Sequence, residues 1–326
     1  MNLPAPITEA GTVQDNERIG HLPQALQDAL RAAYDLALSS HSDATRSAYE
    51  RGFADFSAWC SEFDLAPLPA HAASVAGYLA SLVDRKLRPS TIAGRVAAIS
   101  FAHRHEPDDP TKAATVRAII KGIKNKLGTR AVKKAPLTDA LVAKTIKRMP
   151  NTLIGSRDKA LVLLGFAAAL RRSELVGLDV EHIERRPEGI ILRIAKSKGD
   201  QQGKGQIVAV PNGSKLRPVE ALNTWLKEAG IRSGPLFRGV AKGGRLLPDR
   251  LSDRQVARIV KIQAKRLRLD PDLFSGHSLR SGYATTAGRA DLAGTAAHLR
   301  HAKIDTTRGY IQEADAFANH SGRKFL

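Results

Sequence analysis

Residues 276–282 read Gly276-His277-Ser278-Leu279-Arg280-Ser281-Gly282. His277 and Arg280 stand one helical turn apart, so a helix places both side chains on one face. The flanking glycines, Gly276 and Gly282, suit close approach by other chain segments. Taken alone, the stretch also fits an ordinary helix with His277 at its cap and Arg280 exposed. Its surroundings weigh against that reading. Upstream lies Ala169-Leu170-Arg171-Arg172-Ser173-Glu174-Leu175, at the end of an apolar helical pattern. Arg171 and Arg172 are adjacent and point about 100° apart on a helix. Only one of them easily faces a given anion. Glu174 lies on the same helical side as Arg171 and can hold its guanidinium. Downstream, Leu299-Arg300-His301 precedes Tyr310 by less than a dozen residues.

The pattern around these motifs is mainly helical. Residues 1–21 are polar, carry Pro4, Pro6 and Gly11, and read as a loose tail. From Leu22 helical spacing begins, with Leu26, Leu30, Tyr34 and Leu38 on one face. Ser42 or Asp43 can cap a second helix that carries Tyr49, Phe53, Phe56, Trp59, Cys60 and Phe63. Val75, Tyr78, Leu79, Leu82 and Val83 mark a third. Pro89-Ser90-Thr91 opens a fourth, with Ile92, Val96, Ile99 and His103. Val116, Ile119, Ile120, Ile123 and Leu127 form the stripe of a fifth. Residues 22–127 therefore predict a helical domain, and residues 128–136 a basic linker. Residues 137–326 predict a mixed domain with helices at 138–149, 156–170, 216–229, 252–267, 278–289, 291–299 and after 312. Short β-rich runs at Gly189–Ala195 and Gln206–Val210 predict an antiparallel hairpin with a long tip. The fold class expected is mainly α with a small antiparallel β-sheet.

The chain has 326 residues, with Lys plus Arg at 51, Asp plus Glu at 32 and a net charge of +19. A surplus this large suits a polyanionic partner, with DNA or RNA the leading candidate and an anionic membrane surface the rival. No run of 18 or more apolar residues appears, so no membrane span is expected. Aromatic content is only 5%, which leaves the core to Leu, Ile, Val and Ala. The single cysteine, Cys60, sits beside Trp59 in an apolar helical pattern and reads as core. With no signal-peptide pattern at the N-terminus, a cytoplasmic protein is expected.

Arg171, Arg280, a lysine of the hairpin tip, His277, His301 and Tyr310 together make a phosphoryl-transfer set with no metal site in it. Arginines neutralise a phosphodiester, a tyrosine can attack it, and lysine and histidine move protons. In this order and spacing the chain resembles the tyrosine recombinases, the phage-integrase family. Their pattern is an Arg in a Gly-Leu-Arg-x-Ser-Glu-Leu context, a β-hairpin Lys, His-x-x-Arg, Leu-Gly-His and then Tyr. Here Ala169 stands where Gly is frequent, and Arg300 where Gly is usual. Lys198 matches the hairpin lysine best, with Lys196 and Lys204 nearby. Thr45-Arg46-Ser47-Ala48-Tyr49 and Phe56 to Cys60 are similar to the family's helical core-binding domain.

The resemblance implies a site-specific recombinase or integrase working through a 3′-phosphotyrosine, without cofactor or ATP. It implies catalytic roles for Arg171, Lys198, His277, Arg280, His301 and Tyr310, with Glu174 supporting Arg171. It also implies a homotetramer on two sites in double-stranded DNA, joined through the tail after Tyr310 that carries Phe317 and Phe325. Room remains for an accessory protein. Residues 1–20 are expected to hold no further DNA-binding module, which suits a two-domain Xer-like or mobile-element enzyme. Candidate DNA contacts are Arg46, Arg88, Arg95, Lys121, Lys124, Arg254, Arg258 and Lys261. A monomeric type IB topoisomerase-like enzyme uses the same chemistry, and a non-catalytic DNA-binding protein of this fold is the third reading.

Overall fold

The computed structural model describes residues 42–128, 133–194 and 205–311, with several more between 23 and 32. The chain forms two compact units, Met1–Ala131 and Val132–Leu326. The expected first helix, with Leu30, Tyr34 and Leu38, lies mostly outside the described residues, as does the segment from 312 onward.

The first unit is built from α1 (Asp43–Glu62), α2 (Ala72–Asp84), α3 (Pro89–Ala102) and α4 (Ala114–Leu127). Ser42 caps α1 by accepting the Thr45 backbone N–H at 3.3 Å, and Pro89 opens α3 where a missing N–H does no harm. The apolar stripes meet in one core of Phe56, Cys60, Val75, Tyr78, Leu79, Leu82, Ile92, Ile99, Val116 and Ile123. His103, at the end of its stripe, is a satisfied core residue. Its Nδ1 pairs with the Ile99 carbonyl at 2.8 Å, and its Nε2 accepts the Ala70 N–H at 2.9 Å.

Asp55 is the polar centre of this bundle. It accepts the Tyr78 hydroxyl at 2.5 Å and the Arg85 guanidinium at 3.1 Å, and pairs with Arg95 at 3.2 Å. Burial pushes its carboxyl up, but the hydrogen bonds from Tyr78 and Arg85 and the charge of Arg95 outweigh it and hold the pKa below the ordinary value.

In the second unit, α5 (Asp139–Lys147) and α6 (Leu153–Ala167) precede the short α7 (Arg172–Gly177). Strands β1 (Ile183–Arg186), β2 (Gly189–Ile194) and β3 (Gln206–Pro211) form an antiparallel sheet in the order β1-β2-β3. The predicted hairpin is β2–β3, with Ile194 opposite Gln206 at the base of its tip. After α8 (Pro218–Glu228), β4 (Arg238–Val240) and β5 (Leu246–Arg250) form a second sheet. Then come α9 (Asp253–Arg266), α10 (His277–Gly288), α11 (Leu292–His298) and α12 (Ile304–Ile311). Three strands went unread in the sequence. β1 is Ile-Glu-Arg-Arg, without apolar alternation, and β5 carries Pro248.

The core of this unit gathers Leu161, Leu163 and Leu164 of α6, Leu192 and Val208 of the sheet, Leu222 and Trp225 of α8 and Leu279 of α10. Trp225 is fully buried and donates its indole N–H to the Leu236 carbonyl at 2.9 Å.

Asp55→Ala leaves the buried Tyr78 hydroxyl without its acceptor. It is expected to cost about 1–3 kcal/mol, read as a lowered denaturant midpoint. Because the folded pKa of Asp55 lies below its unfolded value, its contribution is complete above roughly pH 4 and fades as pH falls through the folded value. Asp55→Asn is expected to flatten that acid limb.

Candidate active site

Three segments far apart in the chain converge on one place. The first is the turn between α6 and α7. The run Ala167-Ala168-Ala169 favours helix, and the periodicity extends the helix to residue 170. The structure ends it at Ala167 instead, and Ala169 turns left-handed at φ +48°. Arg171 therefore does not sit at the end of the long helix. It is the N-cap of α7, in an extended conformation. Tertiary contact overrides propensity here, because the Ala169 carbonyl accepts Nη1 of Arg280 at 2.7 Å.

Glu174, buried in the first turn of α7, holds Arg171 twice. Its Oε2 accepts the Arg171 backbone N–H at 2.9 Å, and its Oε1 accepts the guanidinium at 2.6 Å. Burial alone would raise the Glu174 pKa. The Arg171 N–H and the charges of Arg300 and Arg171 bring it below the ordinary carboxylate value. The far end of α7 is pinned by Arg250, whose Nη1 bonds the carbonyls of Val176 and Leu178 at 2.7 and 3.1 Å. Arg172, the first residue of α7, points elsewhere, and the 100° helical offset does not apply because Arg171 precedes the helix in an extended conformation. The Arg172 side chain crosses Gly276, where a Cβ would fall 2.2 Å from its Cδ.

The second segment is α10. His277 and Arg280 share a face one turn apart, as the spacing predicts. Gly282 answers to close packing as well, since a Cβ there would stand 2.0 Å from the Leu137 carbonyl. Arg280 is not exposed. It is only 1% accessible, and it bonds the carbonyls of both Ala169 and Leu299. Burial, with the charges of Arg171 and Arg300, pulls its pKa down to about 10, so it remains a cation at neutral pH.

The third segment runs from Leu299 to Ile311. Tyr310 lies on α12, a helix that the sequence reading did not place. Thr306, Thr307 and Gly309 weaken its helical signal. Thr285 on α10 bonds the Tyr310 carbonyl at 3.3 Å. The Tyr310 hydroxyl stands 2.9 Å from Nε2 of His277. The His301 ring is stacked on Tyr310, 5.9 Å between centroids and 10° from parallel. His301 Nδ1 pairs with the Thr307 hydroxyl at 2.8 Å. Thr307 is fully buried, and nothing in the sequence singled it out.

Both histidines are neutral near pH 7. His301 is pulled down to about 4 by burial and by the charges of Arg280 and Arg171. Solvent reaches His277, yet burial of its ring and the same two arginines lower it too.

Lys198, Lys196 and Lys204 lie outside the described residues. Among the candidate DNA contacts, Arg88, Lys121, Lys124, Arg254 and Arg258 are exposed. Arg46 is paired with Asp43, Arg95 with Asp55, and Lys261 with Asp272 at 2.7 Å.

The sequence profile of the phage integrase family matches residues 136–316, which hold all three segments. The integrase/recombinase xerD homolog of Selenomonas ruminantium is 36% identical over 95% of this chain and 90% of its own length. The chain belongs to the phage integrase family. It is a tyrosine-type site-specific recombinase and a DNA-binding protein. Tyrosine recombinase XerC of Myxococcus xanthus is 29% identical over 74% of this chain and 77% of its own. Among solved structures, a lambda integrase dimer bound to a COC′ core site superposes with a TM-score of 0.60 at 15% identity, over 93% of this chain and 85% of that one. The XerH recombinase bound to palindromic difH aligns at 0.55 and 17% identity, over 75% and 69%. At these identities the two structures speak for the fold, which is the mainly helical one with small antiparallel sheets. Among the described residues no helix is long and apolar enough to cross a membrane.

Glu174→Ala removes the carboxylate that two guanidinium groups share. It is expected to destabilise the second unit by about 3 kcal/mol, read by chemical denaturation.

Proposed function

We propose that this site cuts one DNA strand at a time through a 3′-phosphotyrosine on Tyr310 and then rejoins it to another strand. The observation that carries this reading is the 2.9 Å contact between Nε2 of His277 and the Tyr310 hydroxyl. A tyrosine phenol ordinarily holds its proton to about pH 10, so attack at neutral pH needs a neutral base within reach. A His277 held neutral by burial and arginine charges meets that requirement.

The Tyr310 oxygen forms a bond to phosphorus as its proton passes to His277. The bond from phosphorus to the 5′-oxygen breaks. Lys198, the match to the family's hairpin lysine, gives that oxygen its proton. Arg171 and Arg280 meet the non-bridging oxygens, where negative charge grows in the transition state. His301, paired through Nδ1 with the Thr307 hydroxyl, hydrogen-bonds the phosphate through Nε2. In the return step a 5′-hydroxyl of a second strand attacks the phosphotyrosine. One ester is exchanged for another, so the bond energy is kept.

The reading extends to assembly. Four copies hold two DNA sites in the cytoplasm, each tail from residue 312 onward docking on a neighbour, with room for an accessory protein. Exposed Arg88 before α3, Lys121 and Lys124 on α4, and Arg254 and Arg258 on α9 reach the DNA backbone. Arg46, Arg95 and Lys261 would first have to leave their acidic partners.

Adduct capture tests the chemistry. Fragmented genomic DNA of the encoding organism is incubated with wild-type protein or Tyr310→Phe, denatured, and the DNA that stays on protein is sequenced. Wild type is expected to hold one defined family of sites, and Tyr310→Phe none. Equal adducts with both proteins would remove Tyr310 as nucleophile. Arg171→Ala is expected to slow adduct formation about 10²–10³-fold. The single-turnover rate is expected to climb with pH along a limb centred below about 6.5, as His277 loses its proton, and to be level at neutral pH. A limb centred well above 7 would count against His277 as the base.

A further inference from the structure

Arg300 stands where the recombinase pattern has glycine, and its backbone is left-handed at φ +57°. A side chain in that conformation is strained, so surrounding contacts must hold it. The side chain is 9% exposed, and its guanidinium donates from Nη2 to Glu174 Oε2 at 2.6 Å. That same oxygen takes the Arg171 backbone N–H, while Oε1 takes the Arg171 guanidinium. One carboxylate therefore carries two arginines. Nε and Nη1 of Arg300 are buried and meet no acceptor. Buried donors without partners are rare, and two on one guanidinium leave Glu174 as the acceptor that compensates its charge. Burial lowers the pKa of Arg300, and its charge is close enough to lower that of Arg280.

We propose that Arg300 is a third guanidinium of the phosphodiester site, a positioning residue that balances Glu174 so that Arg171 keeps its charge for the scissile phosphate. The inference rests on the recombinase reading above. Were Glu174 paired with Arg171 alone, the two charges would largely cancel at the phosphate. Arg300 replaces what Glu174 removes. Arg171, Arg280 and Arg300 against one carboxylate leave two positive charges. A phosphodiester carries one negative charge, and attack by a tyrosinate adds a second. The charge balance therefore fits the transition state better than the ground state, which is the condition for catalysis. Glycine at this position would ease the backbone and lose the compensation, so stability and rate should move in opposite directions.

The test uses the full chain and a nicked target strand taken from the captured adducts. Adduct rates are compared for wild type, Arg300→Gly, Arg300→Asn and Arg300→Lys. Each is measured on the phosphodiester and on a strand whose scissile phosphate is an uncharged methylphosphonate. Arg300→Gly is expected to melt at an unchanged or higher temperature. Its adduct rate on the phosphodiester should fall about tenfold to a hundredfold, and on the methylphosphonate by no more than a few-fold. Arg300→Lys should recover part of the rate. Arg300→Asn tolerates the left-handed backbone and should match the glycine variant, and it serves as the readout if the glycine variant folds poorly. An equal loss on both substrates would make Arg300 merely structural and overturn the proposal, as would no loss at all. A wild type that holds no DNA from the whole genome would instead overturn the recombinase reading, and this inference with it.

Discussion

The buried guanidinium of Arg280 is the bond on which the rest of the site depends. It reaches from α10 to two backbone carbonyls, Ala169 before α7 and Leu299 after α11. Taking an arginine out of water costs several kcal/mol, and hydrogen bonds to charged groups return about 1.5–3 kcal/mol each. The bonds to Ala169 and Leu299 therefore secure a charge that would otherwise be expelled. They also fix two turns. Ala169 is itself left-handed, and the residue after Leu299 is the left-handed Arg300. Beyond one turn comes Arg171 and beyond the other His301, so one side chain sets the spacing of these two groups.

Concentrating arginines around two partly buried histidines has a second consequence. Their fields and the burial hold His277 and His301 neutral. A neutral imidazole can accept the proton of a phenol, whereas a charged one cannot. The same cations thus help hold the imidazole beside Tyr310 neutral. Glu174 keeps this cluster from repelling itself, since it pairs with both Arg171 and Arg300.

The two departures from the recombinase pattern, Ala169 and Arg300, share one cause. Both stand where glycine is frequent, and both adopt positive φ. Glycine reaches that conformation without strain. Here contacts to Arg280 and Glu174 hold it for residues with a Cβ. No local propensity reports such contacts, and for that reason the sequence pattern carries the helix three residues past its end at Ala167.

The sequence by itself determined the helical stripes of α1 to α4, the β2–β3 hairpin, the His277/Arg280 face and the order of the motif residues. These depend on spacing within one element, where hydrophobic periodicity and helical pitch act locally. Only the tertiary structure decided that Arg171 caps a new helix, that Tyr310 rides on α12 beside His277, that Thr307 orients His301, and that Arg300 shares Glu174. Each of these joins residues distant in the chain or overturns a weak local preference. The energy that settles them comes from polar and charged groups meeting partners that folding brings near.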